Sequence, residues 1–387
     1  MAIELTVQGT CDARFLPVRE VFVENFNSFG ETGASLAITL DGKSVVDIWA
    51  GYADAARTQQ WKRDTIANVY STTKGMTAIC AHRLVDQGRL DLDAPVAKYW
   101  PEFAAAGKER LPVRYLLSHQ AGMAAVRQPL APDAVYDWET MAGALAQQEP
   151  WWEPGSKHGY HALTYGWLVG EVIRRLSGKS VGAFFRDEVA QPFGIDCQIG
   201  LPAAEDVRVA PLTPPPPPPP EQLDLLMAIL KDPESLLAKS FINPPILPEA
   251  ANSREWRGAE IPAANGHTNA RALAGVYGIL ACGGAVNGRR LLSRQSIQHA
   301  STEQANGPDA LLPMHTCFGL GFMLSTPNEK MGPNPRTFGH GGMGGSMAFA
   351  DPEAGVGFGY VMNEMHTGLW LIDPRPAAII AALYRCL

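Results

Sequence analysis

No stretch of the chain approaches 18 unbroken apolar residues, so it offers no candidate for a helix that crosses a membrane. Clustered basic charge is missing too. Against 39 acidic residues stand 32 lysines and arginines, a formal net charge of -7, which leaves no electrostatic footprint for nucleic acid. Cysteine is sparse, with six residues at 11, 80, 197, 282, 317 and 386. Spacings that wide contain no Cys-x-x-Cys or Cys/His pattern, so no metal site, redox pair or cofactor is expected, and the thiols read as reduced and mostly buried. The first residues, MAIELTVQGTCDARF, have neither a basic start nor a long apolar core. They do not read as an export signal, and a cytoplasmic location is the matching expectation. With 18% charged and 46% hydrophobic residues in 387, the composition excludes a disordered chain and fits a globular protein of two or three domains.

What is present is ordered by periodicity. Residues 16–28 predict a helix with Leu16, Val18, Val21, Phe22 and Phe26 on one stripe. Asp41-Gly42, between two apolar and β-branched runs, predicts a hairpin. Helical patterns follow from Thr72 to about Leu90 and from 164 to 177, the latter closed by Gly178, with a further helix through VGAFFRDEVA. Pro214 to Pro220 is an unbroken proline run, read as a stiff loop. Strands are expected near 346–350 and 356–362, joined through ADPEAG, and a last helix at 374–385. Strands at both ends with helices between them imply one mixed α/β domain, residues 1–75 and 260–387. A mainly helical domain, 76–259, is then inserted into it and carries the proline loop.

The stretch NVYSTTKGMTAIC, residues 68–80, changes from strand-like to helical at Ser71. A serine hydroxyl is a poor nucleophile at neutral pH and needs a neighbouring base. Three residues on, Lys74 lies on the same helical face about one turn away. Facing inward it is partly desolvated, which favours the neutral amine and moves its pKa toward the range of a useful base. The helix N-terminus also favours negative charge developing on the serine oxygen. There is no Gly-x-Ser-x-Gly around Ser71 and no aspartate that stands out as a histidine's orienter, so a Ser-His-Asp arrangement is the weaker competitor.

VYSTTKGMTA, LPVRYLLSHQAGM, EPGSKHGYHALTYGWLVGEVIRRLSG, FGLGFML and FGHGGMGG occur in an order that resembles serine β-lactamase-like esterases. The chain is similar to the family VIII carboxylesterases, relatives of class C β-lactamases and DD-peptidases, over roughly residues 15 to 385. The resemblance implies an α+β fold of the serine β-lactamase and DD-peptidase type, with an antiparallel sheet flanked by helices. It implies a catalytic set of Ser71, Lys74 and Tyr160, an oxyanion hole of the Ser71 and Met343 amides, and substrate contacts from His340, Gly341 and Gly342. The second motif reads Tyr160-His161-Ala162 where penicillin-recognising relatives have Tyr-x-Asn, and the third reads His340-Gly341-Gly342 in place of Lys-Thr-Gly. Those departures favour a small or medium carboxylic ester, with water as the second reactant, over a β-lactam or a DD-peptide. An acyltransferase or a non-catalytic binding module is a further alternative. Lys74 is the expected principal proton acceptor in acylation, with Tyr160 coupled to it. Trp151 and Trp152 either line an acyl or alcohol pocket or pack in the core. His161 and Ser118-His119 read as scaffolding, the loop 263–269 resembles the family loop near the third motif with no chemical role assigned to it, His267 alone does not indicate a metal, and self-association is left open.

Overall fold

Asp41 and Gly42 both take left-handed backbone angles, φ 49° and 75°, as a two-residue hairpin turn requires. They join β2 (Gly33–Leu40) to β3 (Lys43–Gly51), and β1 (Gln8–Cys11) pairs with the outer edge of β3. This is a computed structural model, and it describes residues 5–215, 231–246, 248–368 and 372–387. Residues 216–220 of the proline run lie outside them.

Six strands from the far end of the chain complete the sheet: β4 (Ala305–Pro308), β5 (His315–Phe318), β6 (Met323–Leu324), β7 (Phe338–Gly341), β8 (Met347–Asp351) and β9 (Val356–Met362). The order across the sheet is β1-β3-β2-β9-β8-β7-β6-β5-β4, antiparallel throughout. β9 pairs with β2 from Val356 opposite Leu40 to Met362 opposite Ala34, so the two ends of the chain meet in the middle of one sheet.

Five helices frame the site. α1 (Leu16–Ser28) forms with Val18 and Phe22 inward, but Leu16 is exposed because it is the first residue of the helix. α2 (Thr73–Asp86) is shorter than the apolar pattern suggested, and it is buried on almost every side. α3 (Thr164–Ser177) ends as expected at Gly178, φ 71°. α4 (Ala270–Ala281) lies across β2 and β9, where a Cβ on Gly357 would come within 2.3 Å of the Gly278 amide. Glycine there lets helix and strand backbones touch. Side chains alternate along a strand, so Tyr360 of β9 faces the other way, toward Glu31. Arg375 of α5 (Pro374–Cys386) reaches the same Glu31, and both faces of the sheet are thereby covered. VGAFFRDEVA forms a helix at Val181–Phe185 that widens into a π turn over Arg186–Ala190. Among the described residues no helix is long and apolar enough to cross a membrane.

Candidate active site

Ser71 sits in a single 3-10 turn, Tyr70–Thr72, that leads directly into α2. The chain enters that turn with Tyr70 at φ 40°, a left-handed angle that a tyrosine adopts only where its surroundings impose it. The surroundings are the loop 263–269. Val69 N–H donates to Gly266 O at 2.9 Å, and Gly266 N–H donates to Thr73 Oγ1 at 2.8 Å. The loop therefore brackets the serine on both sides, a structural part that its sequence alone did not reveal.

Lys74 is completely buried. Its Nζ lies 3.1 Å from Ser71 Oγ, 2.7 Å from Ala162 O and 3.0 Å from Ala263 O. A neutral amine has two hydrogens and one lone pair. With the hydrogens given to the two carbonyls, the lone pair is left for the serine hydroxyl. Burial holds the Lys74 pKa well below the ordinary lysine value, which selects that neutral form. Both carbonyls come from backbone, so no side-chain pattern could have announced them.

Tyr160 stacks on Phe318, centroids 6.1 Å apart and planes 9° apart, with Lys74 Nζ 4.7 Å from its ring centre. Its backbone amide donates to both carboxylate oxygens of Asp309 at 3.1 Å, and the same carboxylate accepts from the Leu311 and Leu312 amides. Asp309 was not singled out from sequence, although an aspartate opening a Pro-Asp-Ala-Leu turn is a recognisable local signal. Burial pushes the Tyr160 phenol above its usual pKa, against a hydrogen bond with Ser71 that pulls it down. It is a protonated phenol at neutral pH.

His340, next to last in β7, lies beside this group. Its Nδ1 bonds Gly341 O at 2.6 Å and so carries the hydrogen, while the buried Nε2 has no partner among the described residues. Burial first, then the nearby Lys74, lower its pKa to about 3, so it is a neutral acceptor. Next to it Gly345 N–H donates to Gly342 O at 3.0 Å and closes a turn over Met343 and Gly344. Neither the Ser71 nor the Met343 amide has an acceptor among the described residues. Ser346 ties the turn to the serine segment, its Oγ donating to Val69 O at 2.9 Å and lying 3.0 Å from Thr72 Oγ1.

These groups open into one cavity of about 360 Å³ that holds Ser71, Tyr160, His340, Gly341, Gly342 and Met343 together. Its wall is apolar, built by Phe241, Ile246, Trp256, Met314, Phe318 and Met323. Trp151 and Trp152 are not in that wall. Trp151 donates to Ala125 O and lies under the Arg127 guanidinium, while Trp152 donates to Lys157 O and meets His161 edge-on. Trp152 backs the Tyr160 segment from behind, and the tryptophan at the cavity is Trp256. His161 has both ring nitrogens occupied, by Gly159 O and by the Met123 amide. Among the described residues no cluster of His, Cys, Asp and Glu could hold a metal ion.

The sequence profile of the Beta-lactamase family matches residues 22–382. The chain is 38% identical over 371 residues to the Esterase/beta-lactamase LipL of Mycobacterium tuberculosis, covering 95% of this chain and 85% of that protein. Among solved structures, it superposes on a family VIII carboxylesterase with a TM-score of 0.90 at 43% identity, covering 99% of this chain and 100% of the other. A penicillin-binding protein homolog from Caulobacter crescentus superposes with a TM-score of 0.89 at 41% identity, again over 99% of this chain and 100% of the other.

Proposed function

The chain belongs to the Beta-lactamase family, and from that premise we propose that it is a serine carboxylesterase that hydrolyses small or medium carboxylic esters through an acyl-enzyme on Ser71. The observation that carries this reading is the buried, uncharged-favouring Lys74 amine 3.1 Å from the Ser71 hydroxyl, at the floor of an apolar cavity. Lys74 takes the proton as Ser71 Oγ attacks the ester carbonyl carbon. The carbonyl electron pair moves to oxygen, and the Ser71 and Met343 amides receive the resulting oxyanion. As the intermediate collapses, the C–O bond to the alcohol breaks, and the leaving alkoxide takes the Tyr160 proton, which the Lys74 ammonium replaces. Water then attacks the acyl-enzyme, giving its proton to the neutral Lys74 amine, and as the acyl C–O bond breaks the departing Ser71 oxygen takes a proton back from the lysine and tyrosine pair. A phenol held above its ordinary pKa suits relay and donation better than a standing base, which supports Lys74 as the acceptor of the first proton. An ester of this size fits a cavity of about 360 Å³ with an apolar wall.

The test is a small chromogenic ester with rapid quench and intact mass. Wild type accumulates one acyl group on Ser71, and Ser71→Ala loses both the adduct and turnover. Hydrolysis that continues unchanged in Ser71→Ala would falsify the assignment.

A further inference from the structure

Arg375 opens α5 with no exposed surface, an unusual place for a charge that cannot be discharged. All five of its N–H donors are used. Nε donates to Asp373 Oδ1 at 3.0 Å, and Nη1 donates to Glu31 Oε1 at 2.9 Å and Glu364 O at 2.8 Å. Nη2 donates to Asp373 Oδ2 at 3.1 Å and to Gly344 O at 2.5 Å. Two buried carboxylates offset the charge, so the guanidinium is held rigidly in its fork. Its one hydrogen bond to the active-site turn goes to Gly344 O. That oxygen also accepts the His366 amide at 3.2 Å, and both its lone pairs are thus engaged.

The turn itself fixes a direction. Gly342 O and the Met343 N–H belong to one trans peptide, in which C=O and N–H point opposite ways. Gly345 N–H holds Gly342 O on the inside of the turn, so the Met343 N–H points outward. Gly344 and Gly345 complete the turn at φ +88° and +127°, and a Cβ on Gly345 would come within 2.2 Å of Arg375 Nη2. The guanidinium therefore lies flush against the turn, where a side chain would otherwise be.

We propose that Arg375 is a positioning residue for acyl transfer, holding the Gly342–Gly345 turn so that the Met343 amide stays aimed at the substrate oxyanion. The proposal rests on the reading of Ser71 and Met343 above. Lysine at 375 keeps the charge but cannot reach Gly344 O, Glu364 O and both carboxylates at once.

The experiment compares wild type with Arg375→Lys, and with Asp373→Asn as a milder variant in case the first does not fold. Competent sites are counted with a serine-reactive phosphonate before steady-state assay on a p-nitrophenyl ester. Losing an oxyanion donor outright costs on the order of 10²–10³ in kcat, and a donor only misaimed should cost somewhat less. The expected result is a fall in kcat per competent site of about 10–100-fold for Arg375→Lys and a smaller fall for Asp373→Asn, with KM within about threefold of wild type. Phosphonylation, which also builds negative charge on an oxygen, should slow in the same proportion. Wild-type kcat per competent site in a folded variant, with only fewer sites, overturns the proposal and leaves Arg375 a stability residue. Failure of wild type to be labelled at all would instead sink the serine-esterase reading.

Discussion

Lys74 has three polar neighbours, and none of them is a carboxylate. A buried ammonium without a counter-ion costs several kcal/mol, so the fold keeps the amine neutral. In the unfolded chain the same amine is protonated below about 10.4, so unfolding takes up a proton and stability rises with pH through that window. Lys74→Met removes the proton uptake. The stability of wild type relative to Lys74→Met should therefore grow by about 1.4 kcal/mol per pH unit between the folded-state pKa and roughly 10. Urea unfolding at about pH 7, 8 and 9 reads the difference, and a flat difference means a charged amine. In kinetics, Lys74→Ala should slow acylation by about 10²–10⁴, the usual worth of a general base. Near-normal acylation in pre-steady-state assays would move the base role to Tyr160. Ser71 and Lys74 were legible because three residues on a helix is a distance in space as well as in sequence. Tyr160 was legible only by resemblance, since 89 positions separate it from Ser71 and nothing in its spacing brings it there. The pair Trp151-Trp152 misled because an aromatic pair looks alike whether it lines a cavity or backs one.

Between elements, the seam that counts joins the end of β7 to the serine turn. Gly342 has no room for a side chain there: a Cβ would come within 2.2 Å of both Ser346 Oγ and Val69 O. Ser346→Ala keeps the volume but removes two buried contacts, leaving Val69 O only the Thr72 amide and Thr72 Oγ1 only His340 O. That loss should destabilise the protein by about 1–3 kcal/mol and lower esterase activity along with it. Denaturant unfolding and ester assay on one preparation check both, and an activity loss without a stability loss would place Ser346 in the chemistry instead. Local elements with strong turn chemistry were legible from sequence. The hairpin at Asp41-Gly42 and the helix stop at Gly178 both needed left-handed residues, and those residues can be read off the page. Strands β4, β5 and β6 were not, because at two to four residues each they are too short to show an alternation.

At the scale of the molecule, strand groups at opposite ends of the sequence suggested one mixed domain, and the family resemblance implied its α+β architecture. What that frame builds is a cavity suited to neutral esters. The residue opening the third motif is His340, uncharged with its pKa near 3. A β-lactam's carboxylate would find a neutral imidazole at that position in place of the lysine of penicillin-recognising relatives. Catalytic efficiency on nitrocefin should fall at least about 100-fold below that on a p-nitrophenyl ester, roughly 2.7 kcal/mol of transition-state preference. Comparable efficiencies side by side would reverse that ranking. The pairing of β2 with β9 also sets a timetable. On a ribosome, β2 leaves the exit tunnel some 320 residues before its partner. At about 5–20 residues per second it waits roughly 15–60 s with one edge bare. Met343 and Arg375 arrive later still than the serine they serve, so the growing chain carries a nucleophile it cannot yet use. Hydrolytic activity should switch on only after residues 343 and 375 have emerged, and a chain stalled before residue 340 is an aggregation hazard rather than a stray esterase.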